Sequence, residues 1–323
     1  MNFEIIGPEA EALLGWHALA DVLEAGHLLP VAGIGDTFLY RGADTLLTRS
    51  AWIDGMGIAV KSATIFPGNP ARGRAAVNGG VMLYSDAEGL PEALIDFHLV
   101  TRWKTAGDSF LAARHLARPD ARSVLIVGAG KVAASMIAAY RALFPAARIA
   151  LWNRTVQAAQ ALAALHEGVE VAGDLAGAVA RADVIATTTM ASEPLIRGEW
   201  LKPGTHLDLI GAYRPDMREV DDEVLRRARI FVDSRATTMA HIGELKDPLA
   251  RGVISESDIL ADFHDIAAGL FRRRSAEEIT IAKNGGGAHL DLMTARYILG
   301  VWRARGQGAL VGPEGFEPPT KAL

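Results

Sequence analysis

Two short strings in the middle of the chain carry residue types suited to one kind of chemistry. "LIVGAGKVAA" places Gly128, Gly130 and Ala133 in a G-x-G-x-x-A arrangement between an apolar run and a helical pattern. In such a turn the first glycine bends the chain sharply and the second lets backbone approach a pyrophosphate. Small Ala133 lets the following helix pack closely, and the helix N-terminus offers free N–H groups to phosphate. Gly128, Ala129, Gly130 and Val132 are therefore candidate cofactor-binding positions. The second string, "LWNRT", ends the next apolar run, where a dinucleotide site usually carries an Asp or Glu for the ribose hydroxyls. Asn153, Arg154 and Thr155 stand there instead and supply an amide, a guanidinium and a hydroxyl, all suited to a phosphate. A hydrogen bond to a charged group is worth about 1.5–3 kcal/mol, roughly ten- to hundredfold in affinity. The pattern points to NADP(H) in preference to NAD(H). The alternative for the same residues is an ordinary solvated helix start with Thr155 as its N-cap.

Two cations in the first third of the chain raise a different question. Strand side chains alternate faces, so residues two apart share one. On "GIAVKSATIF", Lys61 shares its face with Ala59, Ala63 and Ile65; on "TLLTRSAWI", Arg49 shares its face with Leu47, Ala51 and Ile53. No acid lies in phase on either strand. A buried unpaired charge costs several kcal/mol, so the expected partner is an anionic ligand such as a substrate carboxylate. Snorkelling of each side chain to water at a strand end is the alternative.

These residues need elements to hold them, and the chain supplies two kinds. From Ser123 onward, apolar strands and helical patterns alternate: "SVLIVGAG", "KVAASMIAAYRALF", "RIALWN", "TVQAAQALAALH", "DVIATTT", "THLDLIG" and "RIFVDS". Alternation of this kind builds a doubly wound parallel sheet, an α/β Rossmann fold. The first third instead reads as one helix, "PEAEALLGWHALADVLEAG", then several strands, a hairpin turning at Asp86–Gly89 and a helix from about His98 to Ala117. Near the end, "AHLDLMTARYILGVWRARG" is an amphipathic helix expected to return to the first domain. The expected organisation is a substrate-binding and dimerisation domain at 1–118 with 288–308, and a dinucleotide-binding domain at 119–287. The stretch 309–323 has Gly, Pro and charge without periodicity and is expected to be disordered.

Composition excludes several classes. The 323 residues are half hydrophobic, with 38 acidic against 33 basic side chains and a net charge of −5, which argues against nucleic acid as a partner. There is no cysteine, so disulfides, thiolate catalysis and Cys-ligated metals are ruled out. The nine histidines never fall three or four residues apart, and no metal is expected. The N-terminal residues lack the pattern of a signal peptide, and no apolar run reaches membrane-spanning length. A cytoplasmic protein is expected.

Beyond these physical readings, the chain resembles a known family. "VKSATIFPGNPARG", "GVMLYSDAEGLPEALID", "LVTRWKTAGDS", "LIVGAGKVAA", "GEWLKPGTHLDLIGAYRPDMREVDDEVL", "FVDSRA" and "ITIAKNGGGAHLDL" follow in the order seen in the ornithine cyclodeaminase/mu-crystallin family. The resemblance spans roughly residues 10–305 and implies a Rossmann domain inserted into an α+β domain that binds substrate and forms a homodimer. It matches Lys61 to the family lysine that contacts the substrate carboxylate, the candidate catalytic residue. Lys104 stands where the family usually has a carboxylate-binding Arg, so a point charge replaces a bidentate fork. The family's earlier arginine has no counterpart in "HLLPVAGIGDTF", and Arg49 is the candidate replacement. "TTTMASEP" and "LIGAY" are implied to line the nicotinamide side, which nominates Thr189 and Met190 for the cofactor and Tyr213 for the substrate. True cyclodeaminases of the family carry an Asp where Tyr213 stands, and ketimine reductases resembling mu-crystallin lack it. The expectation is an NADPH-dependent reductase of small cyclic 2-imino carboxylates. An NAD-dependent ornithine cyclodeaminase and a non-catalytic NADPH-binding protein are the rivals.

Overall fold

The computed structural model describes residues 3–305, so the stretch 309–323 lies outside the described residues. The chain divides into two units, one made of residues 1–104 with 287–323 and the other of residues 105–286.

In the first unit the strands are β1 (Glu4–Ile6), β2 (Gly33–Arg41), β3 (Asp44–Ile53), β4 (Gly57–Ile65), β5 (Val77–Tyr84) and β6 (Pro91–Asp96). They form one sheet in the order β1-β6-β5-β4-β3-β2, antiparallel except for β1 against β6. Along β4 the buried residues alternate, and Lys61 falls on the buried face with Ala59 and Ala63, as the period of two requires. The closing helix, Ala288–Ala304, packs on β3, β4 and β5. Every residue of the edge strand β2 is exposed.

The segment expected as one helix from Pro8 to Gly26 is broken. A 3-10 turn covers Pro8–Leu13, and helix α1 starts only at Trp16 and runs to Gly26. Gly15 is extended, and its N–H donates to the Tyr297 hydroxyl of the closing helix at 2.7 Å. A tertiary hydrogen bond thus replaces the intrahelical one that would have joined the two pieces. Helix α2 (Phe97–Leu116) contains the unit boundary.

The second unit is a fully parallel sheet. Its strands are β7 (Ser123–Val127), β8 (Arg148–Trp152), β9 (Val169–Val171), β10 (Val184–Thr187), β11 (His206–Leu209), β12 (Ala228–Val232), β13 (Ile259–Ala261) and β14 (Ile279–Lys283). Their order is β13-β12-β14-β11-β10-β7-β8-β9. The first two crossovers run one way from β7 and the next ones the other way, so the switch point lies between β7 and β10, where such sheets bind ligands. The core strands are covered on both faces, which explains their nearly continuous apolar runs. Five of the eight strands follow from apolar runs. Strands β9 and β13 have three residues each, too few for a pattern, and β14 ends in Lys283, which reads as polar. Helices α3 (Lys131–Leu143) and α4 (Val156–Ala163) follow β7 and β8. Among the described residues, no helix is long and apolar enough to cross a membrane.

Candidate active site

The cofactor half is built in the second unit from the turn between β7 and α3. Gly128 is buried with φ of +125°, and a Cβ there would fall 2.2 Å from the Thr188 hydroxyl. Its N–H donates to the Trp152 carbonyl at 2.8 Å, which ties the turn to the end of β8. Gly130 is the N-cap of α3 and makes no side-chain cap bond, and a Cβ on it would meet nothing within 4 Å. Space is therefore open over a helix start whose first N–H groups have no intrahelical acceptor. Ala129 and Val132 are half-buried beside it, and Ala133 is buried. The residues present fit a dinucleotide pyrophosphate.

At the end of β8, Asn153 donates from Nδ2 to the Thr155 carbonyl at 2.9 Å and so shapes the turn. Arg154 and Thr155 are exposed. Thr155 does occupy the N-cap of α4, yet its side chain makes no cap bond, and Arg154 has no hydrogen bond or ion pair among the described residues. Both side chains are open to a ligand.

The strand ends after the switch point are held by a carboxylate that sequence reasoning missed. Glu219 is fully buried, and it accepts from Thr187 Oγ1 at 2.7 Å and from Thr189 N and Oγ1 at 2.8 and 2.7 Å. It also accepts from the N–H groups of Gly211 and Ala212 at 2.9 and 3.1 Å. One side chain thereby fixes the loop carrying Thr189 and Met190 and the loop carrying Tyr213. Thr189 is half-buried with its hydroxyl on Glu219, whereas Met190 and Tyr213 are exposed. Lys283, also fully buried, donates to the carbonyls of Leu209, Ala212 and Asn284 at 2.6, 2.9 and 2.6 Å. Burial lowers its pKa, against the charges of Glu219, Glu244, Asp233 and Asp108. Within "RPDMREVDDEVL" Glu219 reads as part of a solvated charge run, and only its place in a family string marked it.

The first unit holds the three candidate anion-binding residues Arg49, Lys61 and Lys104. Asp36, Arg49, Lys61 and Val81 lie directly opposite one another across β2, β3, β4 and β5, on one rung of the sheet. Here the sequence expectation is corrected, because both strand cations have acid partners within the chain. Lys61 Nζ donates to Asp291 Oδ1 of the closing helix at 2.8 Å and sits 4.8 Å from the Phe97 ring centroid. Arg49 pairs with Asp36 at 3.0 Å. Asp36 was hidden because β2 starts three residues earlier than its apolar run, and Asp291 because it is 230 positions away. Burial pushes the Lys61 ammonium down in pKa, and Asp291 opposes that shift. Burial pushes the Asp291 carboxyl up, but the charges of Lys61, Lys104 and Arg49 prevail and hold it below the usual range. Lys104 on α2 is only 9% exposed and has no hydrogen bond or ion pair among the described residues.

The profile of the ornithine cyclodeaminase/mu-crystallin family matches residues 51–306. The chain belongs to this family. A Δ1-pyrroline-2-carboxylate reductase of Paracoccus denitrificans is 48% identical over 296 residues, covering 90% of this chain and 94% of the relative. Among solved structures, a Thermococcus litoralis Δ1-pyrroline-2-carboxylate reductase in complex with NADH and L-proline superposes with a TM-score of 0.82. It is 25% identical and covers 95% of this chain and 99% of its own. An archaeal alanine dehydrogenase dimer with bound NAD reaches a TM-score of 0.84 at 28% identity, covering 97% of this chain and 99% of its own. The Rossmann fold of one unit, the α+β fold of the other and the placement near the reductase branch agree with the expectations drawn from the motifs.

Two outcomes test this geometry. Gly128→Ala forces a Cβ against Thr188 at a backbone angle that L residues rarely adopt. It is expected to weaken binding of a reduced nicotinamide dinucleotide at least tenfold in a fluorescence titration, and wild-type affinity would contradict the turn's role. Glu244, in the helix Gly243–Ala250, accepts from the N–H groups of Glu219 and Val220 at 2.7 and 3.2 Å. Burial, and then the Glu219 charge, push its pKa from an ordinary 4.5 up to about 7. A raised carboxyl stabilises the fold below its unfolded pKa, and that contribution is lost as pH rises through the folded one. Relative to Glu244→Gln, the wild type is expected to lose on the order of 3 kcal/mol between about pH 4 and pH 8 in urea titrations. A difference independent of pH would show that Glu244 titrates normally.

Proposed function

We propose that the chain is an NADPH-dependent reductase of small cyclic 2-imino carboxylates, with Δ1-pyrroline-2-carboxylate or Δ1-piperideine-2-carboxylate reduced to L-proline or L-pipecolate. The observation that carries this reading is the buried ammonium of Lys104, which has no hydrogen bond or ion pair among the described residues, acts on the Lys61–Asp291 pair through its charge and suits a carboxylate. The 48% identity to a pyrroline-2-carboxylate reductase supports the substrate class. Lys104, Lys61 and Arg49 hold the substrate carboxylate and so fix which face of the imine is presented. The backbone at Gly128, Ala129, Gly130 and Val132 receives the pyrophosphate, and Asn153, Arg154 and Thr155 receive the 2′-phosphate of the adenosine ribose. Thr189 and Met190 line the nicotinamide. A reduced nicotinamide, when bound, supplies hydride to the imine carbon, and the protein supplies orientation.

Tyr213 weighs against the cyclodeaminase reading. A phenol stands where the cyclodeaminases of the family carry the carboxylate that would take a proton from an ornithine amine. The same proposal includes a homodimer. Ile34, Phe38, Leu39 and Tyr40 of the edge strand β2, and Trp52 beside it, are large, apolar and exposed, a surface that in a soluble protein marks an interface.

Protein mixed with NADPH and Δ1-pyrroline-2-carboxylate is expected to consume NADPH with L-proline formed, and to release no ammonia from ornithine. The wild type should favour NADPH over NADH by roughly ten- to hundredfold, with Arg154→Asp reversing the order. The preparation should sediment at twice the mass of one chain. Ammonia from ornithine without imine reduction would establish the cyclodeaminase, and neither activity would leave a binding protein.

A further inference from the structure

The charged groups of the first unit form one cluster whose composition carries more than anchoring. Its cations are Arg49, Lys61 and Lys104, and its carboxylates are Asp36 and Asp291. Asp36 answers Arg49, and Asp291 Oδ1 answers Lys61, so these five groups carry one positive charge in excess, and Lys104 has no hydrogen bond or ion pair among the described residues. These groups feel one another, since the charges of Lys61, Lys104 and Arg49 all bear on the Asp291 carboxyl. Asp291 is 1% exposed, and its second oxygen, Oδ2, is buried without a hydrogen-bond partner among the described residues. A buried carboxylate oxygen lacking a donor is costly and is relieved by a ligand N–H. The same oxygen repels a second carboxylate brought into the cluster, and low-dielectric surroundings strengthen that repulsion.

We propose that Asp291 is the specificity-determining residue of this cluster: by cancelling one lysine and leaving Oδ2 open, it admits a monocarboxylate bearing an N–H and rejects a dicarboxylate. This rests on the reductase reading for the identity of the substrate as an imine, whereas the charge assignment stands on the unit itself. An enzyme so built reduces the cyclic imino monocarboxylates and discriminates against 2-iminodicarboxylates. Lys104 then supplies the charge that balances the single carboxylate, while Lys61, aimed by Asp291 Oδ1, and Arg49 help to hold it.

The test compares two planar N–H analogues that differ by one carboxylate, pyrrole-2-carboxylate and pyrrole-2,5-dicarboxylate. Their binding to the NADPH-loaded full chain is measured by calorimetry at low ionic strength, where charge effects are least screened. The wild type is expected to bind the monocarboxylate at least tenfold more tightly. Asp291→Asn, which keeps the shape and removes the charge, is expected to shift that ratio toward the dicarboxylate by about tenfold, or about 1.4 kcal/mol. Asp291→Glu restores the charge and should move the ratio back. If Asp291→Asn does not fold, Asp36→Asn removes a charge from the half-exposed pair and should shift the ratio in the same direction by about threefold. An unchanged ratio in the folded variants, a wild type that prefers the dicarboxylate, or a wild type that binds neither analogue overturns the proposal. The predicted shift without reduction of any imine would sink the reductase reading alone and leave the role of Asp291 standing.

Discussion

An ammonium group cannot sit inside a protein without an opposite charge or a set of acceptors, and each unit of this chain is arranged around a lysine that meets that constraint. In the first unit Lys61 points from β4 into apolar surroundings and survives there because Asp291 reaches it from the closing helix. In the second unit Lys283 ends β14 with its ammonium on three carbonyls, among the buried charges of Glu219, Glu244 and Asp233. Breaking a buried pair by removing one partner costs far more than the pair itself contributes, so each lysine pins the elements that supply its partners. The closing helix is thereby fixed on the sheet of the first unit, and the ends of β11 and β14 are fixed against each other in the second.

Function follows from what this fixing leaves open. Glu219 takes five donors from the strand ends after the switch point and so holds the loops with Thr189 and Tyr213. Polar networks of this kind rigidify a site when every member is satisfied. The groups left without a partner among the described residues are then informative: the open helix start at Gly130, the exposed Arg154, Lys104 and the Oδ2 of Asp291. In the proposed function each would meet one part of a phosphorylated dinucleotide or an imino acid.

Much of this was legible from residue order, and the rest was hidden for identifiable reasons. The dinucleotide turn is a local signal, since the φ of Gly128 and the close helix packing at Ala133 are demands that two glycines and an alanine can express. The buried face of β4 followed from alternation, which correctly placed Lys61 among Ala59 and Ala63. What alternation cannot show is a partner arriving from another element. Asp291 lies in "AHLDL", where an acid in the first turn of a helix reads as favourable to the helix dipole and no more. Asp36 read as a strand boundary, while the observed strand begins at Gly33 and places it opposite Arg49. Glu219 and Glu244 sit in polar stretches whose inward turn is a tertiary event. The break at Gly15 is of the same kind, for a tyrosine from the far end of the chain takes its N–H.

The central claim is a hydride delivered to the carbon of a bound imine, with the chain providing the grip on the carboxylate. The most direct measurement uses NADPH carrying deuterium at both C4 positions of the nicotinamide, incubated with the protein and Δ1-pyrroline-2-carboxylate, with the product analysed by mass spectrometry. The account predicts L-proline with a single deuterium at its α-carbon. Proline without deuterium, or deuterium at any other carbon, would contradict it.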